Sequence, residues 1–122
     1  LNYPSVCVDS NGVAWIASVL EGRLRVQSVS ASGVMRWPLD ALLDLGPASV
    51  MDRCPPRLVS TPAGVKVLYR RGKDLVIRPV QPLGDGVVFA QGDFPSAAYG
   101  AKLGGLAVVW GEGGGLQFKI VK

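Results

Sequence analysis

The residues able to do chemistry are few in this chain, and the absent types decide more than the present ones. None of the 122 residues is a histidine. Without an imidazole, neither a Ser-His-Asp relay nor a Cys-His nucleophile can be assembled. Cys7 and Cys54 stand 47 positions apart, with no Cys-x-x-Cys spacing. That leaves no ligand set for a zinc centre. Cys7 sits in an apolar alternation with Val6 and Val8, so free, buried thiols are expected rather than a disulfide. Asp52, Asp93 and Glu112 could converge on one rim, the carboxylate pairing that glycoside hydrolysis needs. Acids dispersed over turns more often just solvate those turns. Asp9-Ser10-Asn11-Gly12 lacks the alternating acidic spacing of a calcium loop. It reads as a turn in which a side chain bonds the backbone and Gly12 takes positive φ. The glycine run at residues 111–115 is followed by no helix, which makes it a hairpin tip rather than a phosphate cradle. No catalytic residue, metal ligand or cofactor is therefore expected.

Binding chemistry is better represented. Thirteen Lys and Arg against nine Asp and Glu give a net charge of +4. Most cations are scattered, but Arg70, Arg71 and Lys73 form a cluster. They are expected to make a cationic rim that recognises an acidic glycan, a phosphate-bearing surface or an acidic protein, and Asp93 in a neighbouring turn is a further candidate binding residue. Trp37 beside Arg36 is a second candidate contact, expected on an exposed outer strand. No basic stripe interleaved with exposed aromatics is present, which argues against nucleic acid.

The elements that must position these residues are β-strands. The chain is 48% hydrophobic and 18% charged, with sixteen glycines and nine prolines. That excludes intrinsic disorder and suits one domain of short strands and tight turns better than a helical bundle. No apolar run reaches the roughly 20 residues of a membrane helix, and no signal-peptide pattern is visible. The first residue is Leu1, which suggests a processed product or a piece of a longer polypeptide; localisation is left open.

An internal repeat organises the strands. Residues 64–80 align without a gap on residues 105–121, pairing Gly64 with Gly105, Tyr69 with Trp110, Gly72 with Gly113 and Leu75 with Leu116. Residues 12–29 fit with one extra residue. Pro4, Pro56 and Pro95 precede the three copies. Each unit reads as strand A before the glycine and a B–C hairpin after it. A strand D follows in the first two units, over residues 33–39 and 86–90; the third stops after strand C. Trp15, Tyr69 and Trp110 fall at nearly equivalent positions on strand B and are expected between packed sheets. Residues 39–45 carry four leucines at rough helical spacing, and a short inserted helix is expected there.

Four strands per 40 to 50 residues is the period of a β-propeller blade. The run Val8-Asp9-Ser10-Asn11-Gly12-Val13-Ala14-Trp15-Ile16, then Gly22-Arg23-Leu24-Arg25-Val26, then Ser32-Gly33-Val34-Met35-Arg36-Trp37-Pro38-Leu39 resembles a blade of the streptogramin-lyase-like and NHL-type propellers. The second and third units keep the hydrophobic skeleton but lose the acidic turn. The resemblance implies an all-β chain of about three four-stranded antiparallel blades, the last incomplete: residues 4–52, 53–94 and 95–122 of one propeller-type domain. The lyases of this class rely on a histidine, so their activity does not transfer. The expectation is a non-enzymatic binding or structural module, lectin-like, as in a virion, a tail or a cell surface. The alternative is a fragment of a larger propeller lyase or hydrolase whose catalytic residues lie outside this chain. Three blades are too few to close a ring, so a second copy making six blades, or the remainder of a longer chain, is the expected partner.

Overall fold

A computed structural model describes residues 2–49 and 55–122, with side chains from Pro4 onward. Cys54 and Asp52 lie outside the described residues. The fold is all-β, with no helix among those residues. The strands are β1 (Asn2–Val8), β2 (Ala14–Leu20), β3 (Arg23–Val29), β4 (Leu43–Pro47), β5 (Arg57–Thr61), β6 (Gly64–Arg71), β7 (Asp74–Gln81), β8 (Val87–Gln91), β9 (Asp93–Gly100), β10 (Gly105–Glu112) and β11 (Gly115–Val121). They form three antiparallel sheets in chain order: β1-β2-β3-β4, β5-β6-β7-β8, and a three-stranded sheet β9-β10-β11. Pro4 and Pro95 lie in β1 and β9, edge strands where a missing N–H costs no ladder bond.

Each central hairpin closes over two residues. Leu20 pairs with Arg23, Arg71 with Asp74 and Glu112 with Gly115. Aligned on these tips, Leu24, Leu75 and Leu116 are equivalent, as are Val26, Ile77 and Phe118. The sheets stack face to face. We call the face turned to the following sheet the front and the other the back. Trp15, Ala17, Val19, Leu24 and Val26 on the front of the first sheet share a core with Val65, Val67, Tyr69 and Val76 on the back of the second. Leu68, Leu75 and Ile77 on the front of the second share another with Leu106, Val108 and Trp110 on the back of the third. The second sheet is thus covered on both sides, which explains the nearly continuous apolar runs of β6 and β7.

Three expectations change. Residues 39–45 are not helical: Leu43 and Leu45 alternate about Asp44 in β4, which pairs with β3. Asp44 accepts from Arg23 Nε at 2.8 Å and lies 3.6 Å from Arg25. Pairing with β3 and burial of Leu45 outweigh the helical preference of a short leucine run. The strand expected at 33–39 is reduced to a single bridge, Val29 with Met35. The third correction concerns Trp15. The turn before β2 is the longest of the three, residues 9–13 against 62–63 and 101–104. Gly12 stands eight positions before the hairpin residue Leu20, where Gly64 and Gly105 stand seven before Arg71 and Glu112, and a one-residue shift moves a strand side chain to the opposite face. Trp15 is therefore equivalent to Lys66, on a front face, whereas Tyr69 and Trp110 look backward. All three are buried between sheets all the same.

That longer turn is held by Asp9. Its Oδ1 accepts from the backbone N–H groups of Asn11 and Val13 at 2.9 and 3.0 Å, and its Oδ2 from the Trp15 indole at 3.0 Å. Gly12 takes φ +78, as the turn requires. The Trp15 bond, then the backbone bonds, hold the Asp9 carboxyl below its ordinary value against the opposing effect of burial. A carboxyl lowered in the folded state contributes stability that is complete above its unfolded value of about 3.9 and lost as pH falls through the folded value. Wild type is thus expected to lose more stability than Asp9→Asn between pH 5 and 2.5 (on the order of these carboxyl values). Urea midpoints across that range measure it; parallel curves would remove Asp9 as the cause.

Candidate functional site

The hairpin tips and the connections between sheets gather at one end of the stack. The link from β4 toward β5 is tied under two tips: Ala48 N–H donates to the Gly22 carbonyl, Ser49 N–H to the Arg70 carbonyl, and Gly72 N–H to Ser49 Oγ, at 2.8–3.0 Å. Between the second and third sheets this end opens into a groove of about 600 Å³. Its walls are the β6–β7 tip with Arg70 and Lys73, the β8–β9 link at residues 91–94, and the β10–β11 tip at residues 111–115.

Arg70 organises the groove. Its Nη1 lies 2.6 Å from Asp93 Oδ1, and its Nε donates to the Gly72 carbonyl at 2.6 Å. The pair joins the second sheet to the third, because Asp93 opens β9 opposite Gly111. Gly92 makes the sharp passage between sheets: a Cβ there would meet the Gly111 carbonyl oxygen at 2.2 Å. Phe94 follows with φ +54, a conformation few side-chain-bearing residues adopt. Its ring is 60% exposed beside the groove. Strain of this kind persists where the surroundings over-determine it.

The sequence-derived candidates separate into two places. Arg70, Lys73 and Asp93 meet in the groove. Arg71 is not among the lining residues; strand alternation turns it to the other face of β6. Arg36 and Trp37 lie at the opposite end of the first sheet. Trp37 is half-buried rather than a free contact residue. Its ring packs 6.3 Å from that of Trp15, and the Arg36 guanidinium stacks 4.6 Å above it. The buried Gln27 amide holds the Trp37 backbone at both its N–H and its carbonyl. The rim is also not purely cationic: Arg70 and Lys73 are matched by Asp93 and Glu112. The sequence points to Asp93 in this link but not to Phe94. An aromatic directly after a Gly-Asp turn was the available signal.

Among the described residues no cluster of three His, Cys, Asp or Glu side chains could hold a metal ion. Burial pushes the Cys7 thiol up, and the charge of Asp9 adds to this, so the thiol stays protonated and unreactive at neutral pH. No helix of the described residues is long and apolar enough to cross a membrane. No family model, curated protein or solved structure matches this chain.

Proposed function

We propose that this chain is a non-enzymatic binding module of β-propeller type, its three sheets acting as blades, and that the tip groove holds a glycan. The observation that carries the reading is the composition of the groove. It combines balanced charges, an exposed aromatic ring and glycine backbone at the β10–β11 tip. A polyhydroxylated ligand can use all three: apolar sugar faces against Phe94, hydroxyls on the carboxylates and cations, and further hydrogen bonds to exposed backbone. The internal pairing of Arg70 with Asp93 favours such a ligand over a polyanion, because the cation is already compensated. The resemblance to NHL-type blades supports the architecture and no enzymatic activity.

An array of neutral and sialylated oligosaccharides tests the reading. Wild type is expected to retain at least one neutral oligosaccharide. Phe94→Ala and Lys73→Ala, both at exposed positions, should each weaken that binding by about tenfold, the loss of roughly 1.4 kcal/mol. Retention of the same ligand by both variants would place binding elsewhere; no retention by wild type would end the glycan reading.

A further inference from the structure

The repeat places large apolar residues at two equivalent front-face positions in all three sheets, yet the third sheet leaves them bare. Leu24 and Leu75 are both 0% exposed, while their equivalent Leu116 is 78% exposed. Val26 and Ile77 are 0% and 7% exposed, while Phe118 is 64% exposed. Ile120, Val109 and Ala107 share this face with Phe118 and Leu116, by the pairing of β10 with β11. The two internal junctions establish what covers such a front: the back face of another sheet of the same repeat. Among the described residues the back face of the first sheet is open on its β1 side, while Ser18 and Gln27 toward β3 are only 5% and 6% exposed. Val6 and Val8 of β1 are 65% and 58% exposed. Val6 pairs with Ile16, as Leu58 of the second sheet pairs with Val67, and Leu58 packs into the junction core. On the β3 side the face turns polar at Ser18, Arg25 and Gln27, with Met35 and Leu39 of the following segment beside them.

We infer that the front of the third sheet docks on the back of the first sheet of a second copy, and that the two chains close on each other through two such junctions. Strands of seven residues, at about 3.4 Å per residue and about 4.8 Å between strands, give a three-stranded face of about 340 Å². A single junction would bury too little for a stable pair. Two junctions involve four faces, about 1,400 Å², within the range of stable interfaces of roughly 1,200–2,000 Å². Closure by a two-fold also satisfies both open faces at once, where a single head-to-tail contact would leave an end free to add further copies. This inference rests on the stacking of the sheets and is independent of the glycan reading.

Sedimentation equilibrium of the 122-residue chain is the test, with Phe118→Glu on one face and Val6→Glu on the other. Both positions are exposed in the single chain, so circular dichroism should be unchanged. The expected result is a species of twice the 12.8 kDa chain mass that each substitution alone returns to a monomer. A folded wild-type monomer throughout the micromolar range would overturn the inference and leave the faces to a sheet from elsewhere. So would a dimer that Phe118→Glu abolishes and Val6→Glu leaves intact, since that signals like faces pairing. A ladder of larger species would overturn closure.

Discussion

Truncating Leu75 to alanine is expected to cost about 3 kcal/mol of folding stability, the middle of the range for a fully buried leucine that leaves a cavity. Leu75 is 0% exposed on the front of the second sheet, in the core shared with Leu106, Val108 and Trp110. Sheets above and below prevent the site from collapsing around the void, because interiors are packed as tightly as molecular crystals. For a domain with 5–15 kcal/mol in total, a loss of that size brings it close to unfolding. Leu24→Ala should cost a similar amount, since Leu24 fills the equivalent place in the other junction. Leu116→Ala is the informative contrast. In the isolated chain its side chain is largely in water, and the cost should be within about 0.5 kcal/mol. At concentrations where two copies pair, Leu116→Ala should become destabilising, because a partner that binds only folded chains adds its binding free energy to stability. Urea unfolding of the three variants at low and high protein concentration separates these effects. Equal costs at Leu75 and Leu116 in dilute solution would contradict the burial pattern.

A second large effect is expected at Gly64, which begins β6 with φ +133. A Cβ added there would fall 1.6 Å from the Gln81 carbonyl oxygen and 2.7 Å from its carbon. Both are backbone atoms of the paired strand, so no side-chain rotation can relieve the clash. Gly64→Ala must open the Val65–Gln81 end of the β6–β7 ladder or shift it, and should cost about 3 kcal/mol or more, at the severe end for single substitutions. Gly72→Ala at the hairpin tip is the control. It also has positive φ, but a Cβ there meets nothing within 4 Å, so only the conformational cost of roughly 1–2 kcal/mol applies. Thermal unfolding of the two variants decides the matter. Equal losses would mean that close backbone approach at Gly64 is not what demands glycine.

Both predictions draw on features partly legible in the sequence. The gap-free match of residues 64–80 with 105–121 places Gly64 with Gly105 and Leu75 with Leu116. The structure bears this out, because those segments form the equivalent β6–β7 and β10–β11 hairpins. The first unit was harder to place. One extra residue between Gly12 and Leu20 leaves spacing in sequence almost unchanged but reverses every side chain counted from the glycine, so that spacing sets Trp15 on the wrong face. Residues 39–45 misled for a different reason. Four leucines fit either period, and pairing with β3, burial of Leu45 and the ion pairs of Asp44 with Arg23 and Arg25 select the strand.

The candidate site divides in the same way. Arg70, Lys73 and Asp93 were visible as charges in turns, and strand order predicts that those turns share one end. That Arg70 spends its charge on Asp93, that Glu112 lines the same groove as Lys73, and that Phe94 stands exposed beside them depend on packing between sheets. No local pattern encodes that packing.

Sequence alone determined that this chain is a set of repeated antiparallel strands without histidine chemistry, because alternation, glycine turns and composition are local properties of the polypeptide. Which faces are covered was decided only by the tertiary structure. Leu24, Leu75 and Leu116 are the same residue in the same local setting, and what separates a core position from an open surface is whether another sheet lies against it.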